Sequence, residues 1–224
     1  MIGSAAASRW DELFRIAVSI IDQAGARAFA LEGWSFGGGT ALMLHLSHRE
    51  SHDVDIFLPD RQFLPLLNPV TQEYDVAIAP SGYQTDGSGS LKIVFGDIGE
   101  IDFICSPSLT PDPVEWRDIE GRRVALERPA EIIAKKLVYR GTRMQPRDMF
   151  DIAAISQAMG ESHLIDRLKP FRPACEAALE TARRVDPDFA RSLMSDLMIR
   201  DGFSDLPQHA RAMTIDLLEK VSAS

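Results

Sequence analysis

This sequence predicts an α+β fold, with a sheet and its helices in residues 1–128 and a helical domain in 129–224. Three observations carry the prediction. Stretches such as "HDVDIFL" and "LKIVFGDIGEIDFICS" alternate apolar and polar residues with the period of a strand. Apolar residues at helical spacing flank them in the first half. From Pro129 onward only the helical period remains, interrupted near Pro170, Pro187 and Pro207.

The elements follow in order. "RWDELFRIAVSIIDQAG" places Leu13, Ile16, Ile20 and Ile21 on one helical face and should stop at Gly25. "AFALEGWSF" (28–36) reads as a strand that enters the glycines. "TALMLHLS" is apolar on nearly all sides, which suits a helix buried behind a sheet. "HDVDIFL" is the next strand, a short helix is expected near 61–67, and "YDVAIA" (74–79) reads as another strand. "LKIVFGDIGEIDFICS" is a hairpin turning at Gly96, Asp97 and Gly99. "PSLTPDPVEW", with three prolines, is a loop, and "RRVALE" is a last strand. "PAEIIAKKLVYRGTR" begins with proline and glutamate and ends in basic residues, as a helix should. Pro146 breaks that run, and "RDMFDIAAISQAMG" starts a second helix.

Composition narrows the function classes. At 224 residues, with 45% hydrophobic and 25% charged residues, the chain is ordinary globular material. No run is long and apolar enough for a transmembrane helix. "MIGSAAASRWDELF" lacks the pattern of a secretory signal, and "GSAAAS" reads as a lead-in. Only Cys105 and Cys175 are present, without metal-ligand spacing, so a reduced cytoplasmic setting is the expectation. The net charge of −9 argues against a general nucleic-acid coat. Arg122, Arg123, Arg128, Lys135, Lys136, Arg140, Arg143 and Arg147 nevertheless stand against only Glu127 and Glu131, which suggests either a local anionic ligand or a solvated face.

The chemistry concentrates in "FGGGTALMLHLSHRESHDVDIF" (36–57). Taken alone, its glycines can be a tight turn and its aspartates the wet face of a strand. Taken together, they have the order that phosphoryl chemistry needs. Amides at a glycine-rich helix start can hold phosphate oxygens, and Asp53 and Asp55 share a strand face that can hold hard cations. "EIDFI" supplies a third carboxylate, Asp102, with Glu100 on the same face as the alternative. Three such acids suit a two-metal arrangement. The chain contains no GxxxxGK[ST], which disfavours a Walker-type NTPase. His45, His48 and His52 raise zinc as a rival, but the aspartates prefer magnesium.

These residues resemble the nucleotidyltransferase superfamily, and within it the AbiEii/AbiGii-type toxins of phage-defence toxin–antitoxin systems. The resemblance lies in Gly38-Gly39-Thr40 and then His48-Arg49, Ser51, Asp53, Asp55 and Phe57. A second block agrees: "IIAKKLVYRGTRMQPRDMFDI" carries Lys136, Arg143, Arg147, Asp148 and Asp151 at matching spacing, with Lys135 competing for the place of Lys136. The resemblance covers about residues 29–155.

The resemblance implies a nucleotidyltransferase-fold mixed sheet (1–128) followed by a helical domain (129–224). Asp53, Asp55 and Asp102 would hold Mg²⁺, two ions being expected, and Asp102 would help deprotonate the acceptor hydroxyl. Gly38, Gly39 and Thr40 would hold the β and γ phosphates of an NTP, and Lys136 would neutralise triphosphate charge. Asp151 would be a further active-site residue. Arg49 and Ser51 would contact nucleotide or lock the turn before the strand. Arg143, Arg147 and Asp148 would touch the acceptor or be structural. The implied reaction is nucleotidyl transfer to an acceptor hydroxyl, with RNA, and tRNA in particular, as the acceptor and a cognate antitoxin as a partner. A small-molecule or protein acceptor, or a non-catalytic nucleotide-binding module, are the other readings; no membrane partner is expected.

Overall fold

The computed structural model describes residues 7–27, 31–87 and 89–224. Residues 3–6 of the lead-in "GSAAAS" and residues 28–30 of the strand expected over 28–36 lie outside them. The fold is α+β, and the chain divides into two compact units. The first comprises residues up to Ala41, Ser51–Ser108 and Val114–Glu127; the second comprises Leu42–Glu50, Leu109–Pro113 and Arg128–Ser224. Two short segments that the sequence reading put in the first half, 42–50 and 109–113, therefore belong to the helical unit. Among the described residues no helix is long and apolar enough to cross a membrane.

In the first unit, helix α1 (Trp10–Arg27) carries Asp11 and Glu12 in its first turn and Arg27 in its last. Those charges complement the helix dipole, and the helix runs through Gly25 instead of stopping there. Among the described residues seven strands form one mixed sheet: β1 (Ser35–Gly37), β2 (Val54–Leu58), β3 (Gly82–Thr85), β4 (Ser90–Val94), β5 (Glu100–Cys105), β6 (Val114–Ile119) and β7 (Arg122–Glu127). Their spatial order is β3-β4-β5-β2-β1-β7-β6. The β2–β5 and β1–β7 pairs are parallel and the others antiparallel.

Alternation gives the central strands one apolar face, built from Val54, Ile56, Leu91, Ile93, Ile101 and Phe103, all buried. α1 and a 3-10 segment, Arg61–Leu67, cover these strands. Phe14 of α1 stacks on Phe36 at a centroid distance of 5.0 Å. Each such buried ring contributes about 1.5–3 kcal/mol of transfer free energy.

Three sequence expectations change. β1 is short, because residues 31–34 are not strand. "YDVAIA" alternates but forms no ladder with any strand among the described residues; the edge strand is β3, a few residues later. Alternation reports which side of a segment is covered, and it is blind to whether a ladder partner exists. The loop expected through Trp116 instead yields β6, joined to β7 by a turn in which Glu120 has φ +49° and Gly121 has φ +75°. Two positive φ values are what a tight hairpin requires, here achieved with Glu-Gly where Asn-Gly or Asp-Gly is the usual signal.

Helix α2 (Gly38–Leu46) begins in the first unit and continues in the second. A short helix, α3 (Pro69–Gln72), follows the 3-10 segment. The second unit contains α4 (Pro129–Arg140), α5 (Pro146–Met159), α6 (Glu161–Leu168), α7 (Arg172–Arg184), α8 (Pro187–Ser195) and α9 (Ala210–Ala223). α4, α5 and α8 each start on proline, which lacks an N–H that a first-turn residue would leave unpaired anyway. α5 is the hub: Met149 to Ile155 are all buried, and α4, α6, α8 and α9 pack around it.

Candidate active site

The polar face of the central strands carries the acids. Register sets Gly37 opposite Asp55, Asp55 opposite Asp102, and Asp102 opposite Lys92. Residues opposite one another in a ladder point to the same face, so a glycine, two carboxylates and an ammonium form one row across four strands. Asp53 lies just before β2, and its Oδ1 accepts the backbone N–H of Glu100 at 3.1 Å. It thereby ties the start of β5 to the start of β2.

The glycines are needed for this row. Gly38 has φ +69°, and a Cβ there would fall 1.8 Å from Asp55 Oδ2. At Gly37 a Cβ would meet Glu127 Oε2 at 2.3 Å and the Phe57 ring at 2.5 Å. Close approach therefore requires glycine at both places, and the left-handed backbone requires it again at Gly38. Gly39 is the second residue of α2, so it lies in the turn where helix N–H groups have no intrahelical acceptor. Thr40 is fully buried and its hydroxyl donates to the Asp53 carbonyl, so it ties the helix start to the acid strand.

Lys92, which the sequence reading did not single out, is ion-paired with Glu100 and stands 3.3 Å from Asp102 Oδ2. Burial works against its charge, yet Glu100 and Asp102 outweigh burial and hold its pKa above the ordinary value. Burial also pushes the Asp102 carboxyl up; Lys92 opposes that rise, while Glu100 and Asp53 add to it. The signal for Lys92 was present in "LKIVF", where one polar residue sits between two inward-facing apolar ones.

In the second unit, Asp151 is the centre of a buried cluster. Arg49 grips it with two bonds, Nε to Oδ1 at 2.8 Å and Nη2 to Oδ2 at 3.0 Å. His48 Nε2 lies 2.9 Å from Oδ1, and Lys136 Nζ lies 3.1 Å from Oδ2. Lys136 also donates to Asp148 Oδ1 at 2.5 Å. Asp148 Oδ2 in turn accepts the Gln145 N–H that opens α5. Burial alone would raise both aspartates, but Arg49 and Lys136 hold Asp151 well below its usual value, and Lys136 lowers Asp148. Lys136 is raised because Asp151 and Asp148 overcome its burial. Lys135 turns elsewhere, 3.6 Å from Glu131, so Lys136 is the lysine in this cluster.

The remaining residues singled out by sequence scatter. Ser51 is buried, with its carbonyl accepting from Ser8. Arg122, Arg123 and Arg128 pair with Asp22, Asp118 and Asp112, so the basic run is largely neutralised residue by residue. Arg143 and Arg147 are exposed, and no ion pair to either is seen among the described residues. His48 is engaged with Asp151, and no group of three or more His, Cys, Asp or Glu side chains among the described residues is gathered as a ready-made metal cage. Asp55 and Asp102 instead offer a neighbouring pair of hard oxygen donors, which suits Mg²⁺ when substrate phosphates complete its shell.

A mixed sheet whose glycine turn opens a helix beside in-register carboxylates has the nucleotidyltransferase fold. A candidate nucleotidyltransferase from H. pylori superposes with a TM-score of 0.51 at 18% identity, over 97% of this chain and 96% of that one. MenT4, a nucleotidyltransferase toxin from Mycobacterium tuberculosis, does so with a TM-score of 0.51 at 14% identity, over 96% of this chain and 85% of that one. At such identities the likeness speaks for the fold. Residues 23–223 match the family described as nucleotidyl transferase AbiEii toxin, type IV toxin–antitoxin system, and the chain belongs to that family of enzymes. No curated protein matches.

Proposed function

We propose that the protein transfers a nucleoside monophosphate from an NTP to an acceptor hydroxyl on RNA, with tRNA the first acceptor to examine, as the toxin of a toxin–antitoxin pair. The observation that carries this reading is the row Gly37–Asp55–Asp102, with Gly38 packed against Asp55. Asp55 and Asp102 would hold Mg²⁺, with Asp53 adding negative charge beside them. Bound there, the metal supplies charge neutralisation for the attacking and leaving oxygens of an in-line displacement at the α-phosphate.

The chain's own groups do the rest. The first N–H groups of α2, at Gly38 and Gly39, are the donors for the triphosphate, since the Thr40 hydroxyl is committed to Asp53. Lys136 belongs to the second unit, where Asp148 and Asp151 hold its ammonium. Asp151 is a positioning residue in this reading: its two oxygens are occupied by Arg49, His48 and Lys136. Asp102 is the carboxylate that would take the acceptor's proton in this reading. Catalysis rests on positioning and charge.

The test is incubation with each labelled NTP, Mg²⁺ and total RNA. Wild type labels RNA, while Asp55→Ala and Asp102→Ala lose the label. Labelling of neither RNA, protein nor a small-molecule pool with any NTP would sink the reading. Growth arrest on expression, relieved by the product of the neighbouring gene, identifies the toxin and its antitoxin. A protein or small-molecule acceptor is the second reading, favoured by the net charge of −9 and by the pairing of the basic run with acids.

A further inference from the structure

Lys92 puts a fixed positive charge into the row that the proposed reaction needs for a divalent cation. It stands on β4 opposite Asp102, which stands opposite Asp55. Its ammonium bridges Glu100, two residues along the same face of β5, and Asp102. Its side chain is 29% exposed, and those of Glu100 and Asp102 are 33% and 20% exposed, so the triad is partly withdrawn from water. Carboxylates brought this close repel one another unless a cation lies among them.

We infer that Lys92 is the resident counter-ion of this carboxylate row, a positioning residue that neutralises Asp102 and Glu100 while no metal is bound and so makes tight metal binding depend on the nucleotide. The inference rests on the reading of Asp55 and Asp102 as metal ligands. A divalent ion arriving alone meets the field of an ammonium 3.3 Å from one of its two carboxylates. A triphosphate brings negative charge of its own, which offsets that field and supplies further oxygen ligands. The metal thus enters with the nucleotide. Arginine at this position keeps the charge; methionine and glutamine keep most of the length and lose it.

The experiment titrates Mn²⁺ into nucleotide-free protein and follows the free ion by electron paramagnetic resonance, for wild type, Lys92→Met, Lys92→Gln, Lys92→Arg and Asp55→Ala. Circular dichroism and thermal melting identify the folded variants, and either neutral substitution suffices. Lys92→Met and Lys92→Gln should bind Mn²⁺ more tightly than wild type by about tenfold, the scale expected for removing one competing charge at a partly solvated site. Lys92→Arg should match wild type. A non-transferable NTP analogue should tighten Mn²⁺ binding much more in wild type than in Lys92→Met. Unchanged or weaker affinity in the neutral variants, with Asp55→Ala losing the ion, overturns the role of Lys92 and leaves the metal reading standing. Retention of Mn²⁺ by Asp55→Ala overturns the metal reading, and the counter-ion role falls with it.

Discussion

Gly38 and Asp55 share a space that has no room for a β-carbon. A methyl group at position 38 would lie 1.8 Å from Asp55 Oδ2, where the backbone φ is +69°. The helix start and the acid strand are therefore fitted to each other at this contact, and the Thr40 bond to the Asp53 carbonyl fastens the same two segments two residues away.

Gly38→Ala should be worse than backbone strain alone can make it. A left-handed non-glycine residue costs about 1–2 kcal/mol, and overpacking adds about 1–3 kcal/mol. Gly96 is the control, because its φ is +55° and a Cβ there would meet nothing within 4 Å. Urea denaturation should show Gly38→Ala losing clearly more stability than Gly96→Ala, and nucleotide transfer should fall with Gly38→Ala alone. Equal losses in the two variants would mean that the contact with Asp55 yields at no cost.

The grip of Arg49 on Asp151 depends on the planar fork of a guanidinium. Lysine keeps the charge but cannot make two parallel bonds to one carboxylate. Asp151 is fully buried, so removing its charge takes from Arg49 its two-bonded carboxylate and from Lys136 one of its two carboxylates. Breaking a buried pair from one side costs about 3–5 kcal/mol. Asp151→Asn should show a loss of that size in chemical denaturation, and Arg49→Lys a smaller one. If both variants melt like wild type, the cluster does not hold the fold.

The same cluster sets a pH window. Asp151 and Asp148 have folded pKa values below that of an unfolded aspartate, so the folded state binds fewer protons. Their stabilisation is complete above the unfolded value of about 3.9 and drains away as the pH falls through it towards the folded values. Lys136 is raised, so its contribution is present below the unfolded value of about 10.4 and is lost as the pH rises through the folded one. Between those limits the contribution should be flat. Unfolding free energy measured from neutral to acid pH should fall more steeply in wild type than in Asp151→Asn, and parallel slopes would contradict the assignment.

Legibility differed from element to element for physical reasons. The β4–β5 hairpin and β2 were readable because one side of each strand is buried and the other is not, which writes a period of two into the sequence. The same alternation places Asp55, Asp102 and Lys92 on one face, although only the first two were singled out. β3 and β6 were missed because their burial is partial: no residue of Gly82–Thr85 is buried, and Ile119 is the one buried residue of Val114–Ile119. The joining of His48 and Arg49 to Asp151 spans over a hundred residues, and no local pattern encodes it. Nor did the basic run reveal which of its members face acids, since Asp22, Asp112 and Asp118 lie on other segments.

Arg143 and Arg147 distinguish the acceptors. Both are exposed, and no ion pair to either is seen among the described residues, whereas Arg122, Arg123 and Arg128 face carboxylates. If RNA is the acceptor, these two exposed cations can meet its phosphates, and each contact made releases counterions. For single strands the logarithm of affinity falls with the logarithm of salt at a slope of about 0.7 per phosphate neutralised. The Arg143→Ala/Arg147→Ala double variant should therefore bind RNA more weakly at low salt, with a slope shallower by about 1.4. Nucleotide binding in the absence of RNA should stay at the wild-type level, because the donors proposed for the triphosphate are the N–H groups at the α2 start. A double variant with the wild-type salt slope and undiminished transfer would count against RNA and for the small-molecule or protein acceptor, whose recognition needs no phosphate-binding arginines.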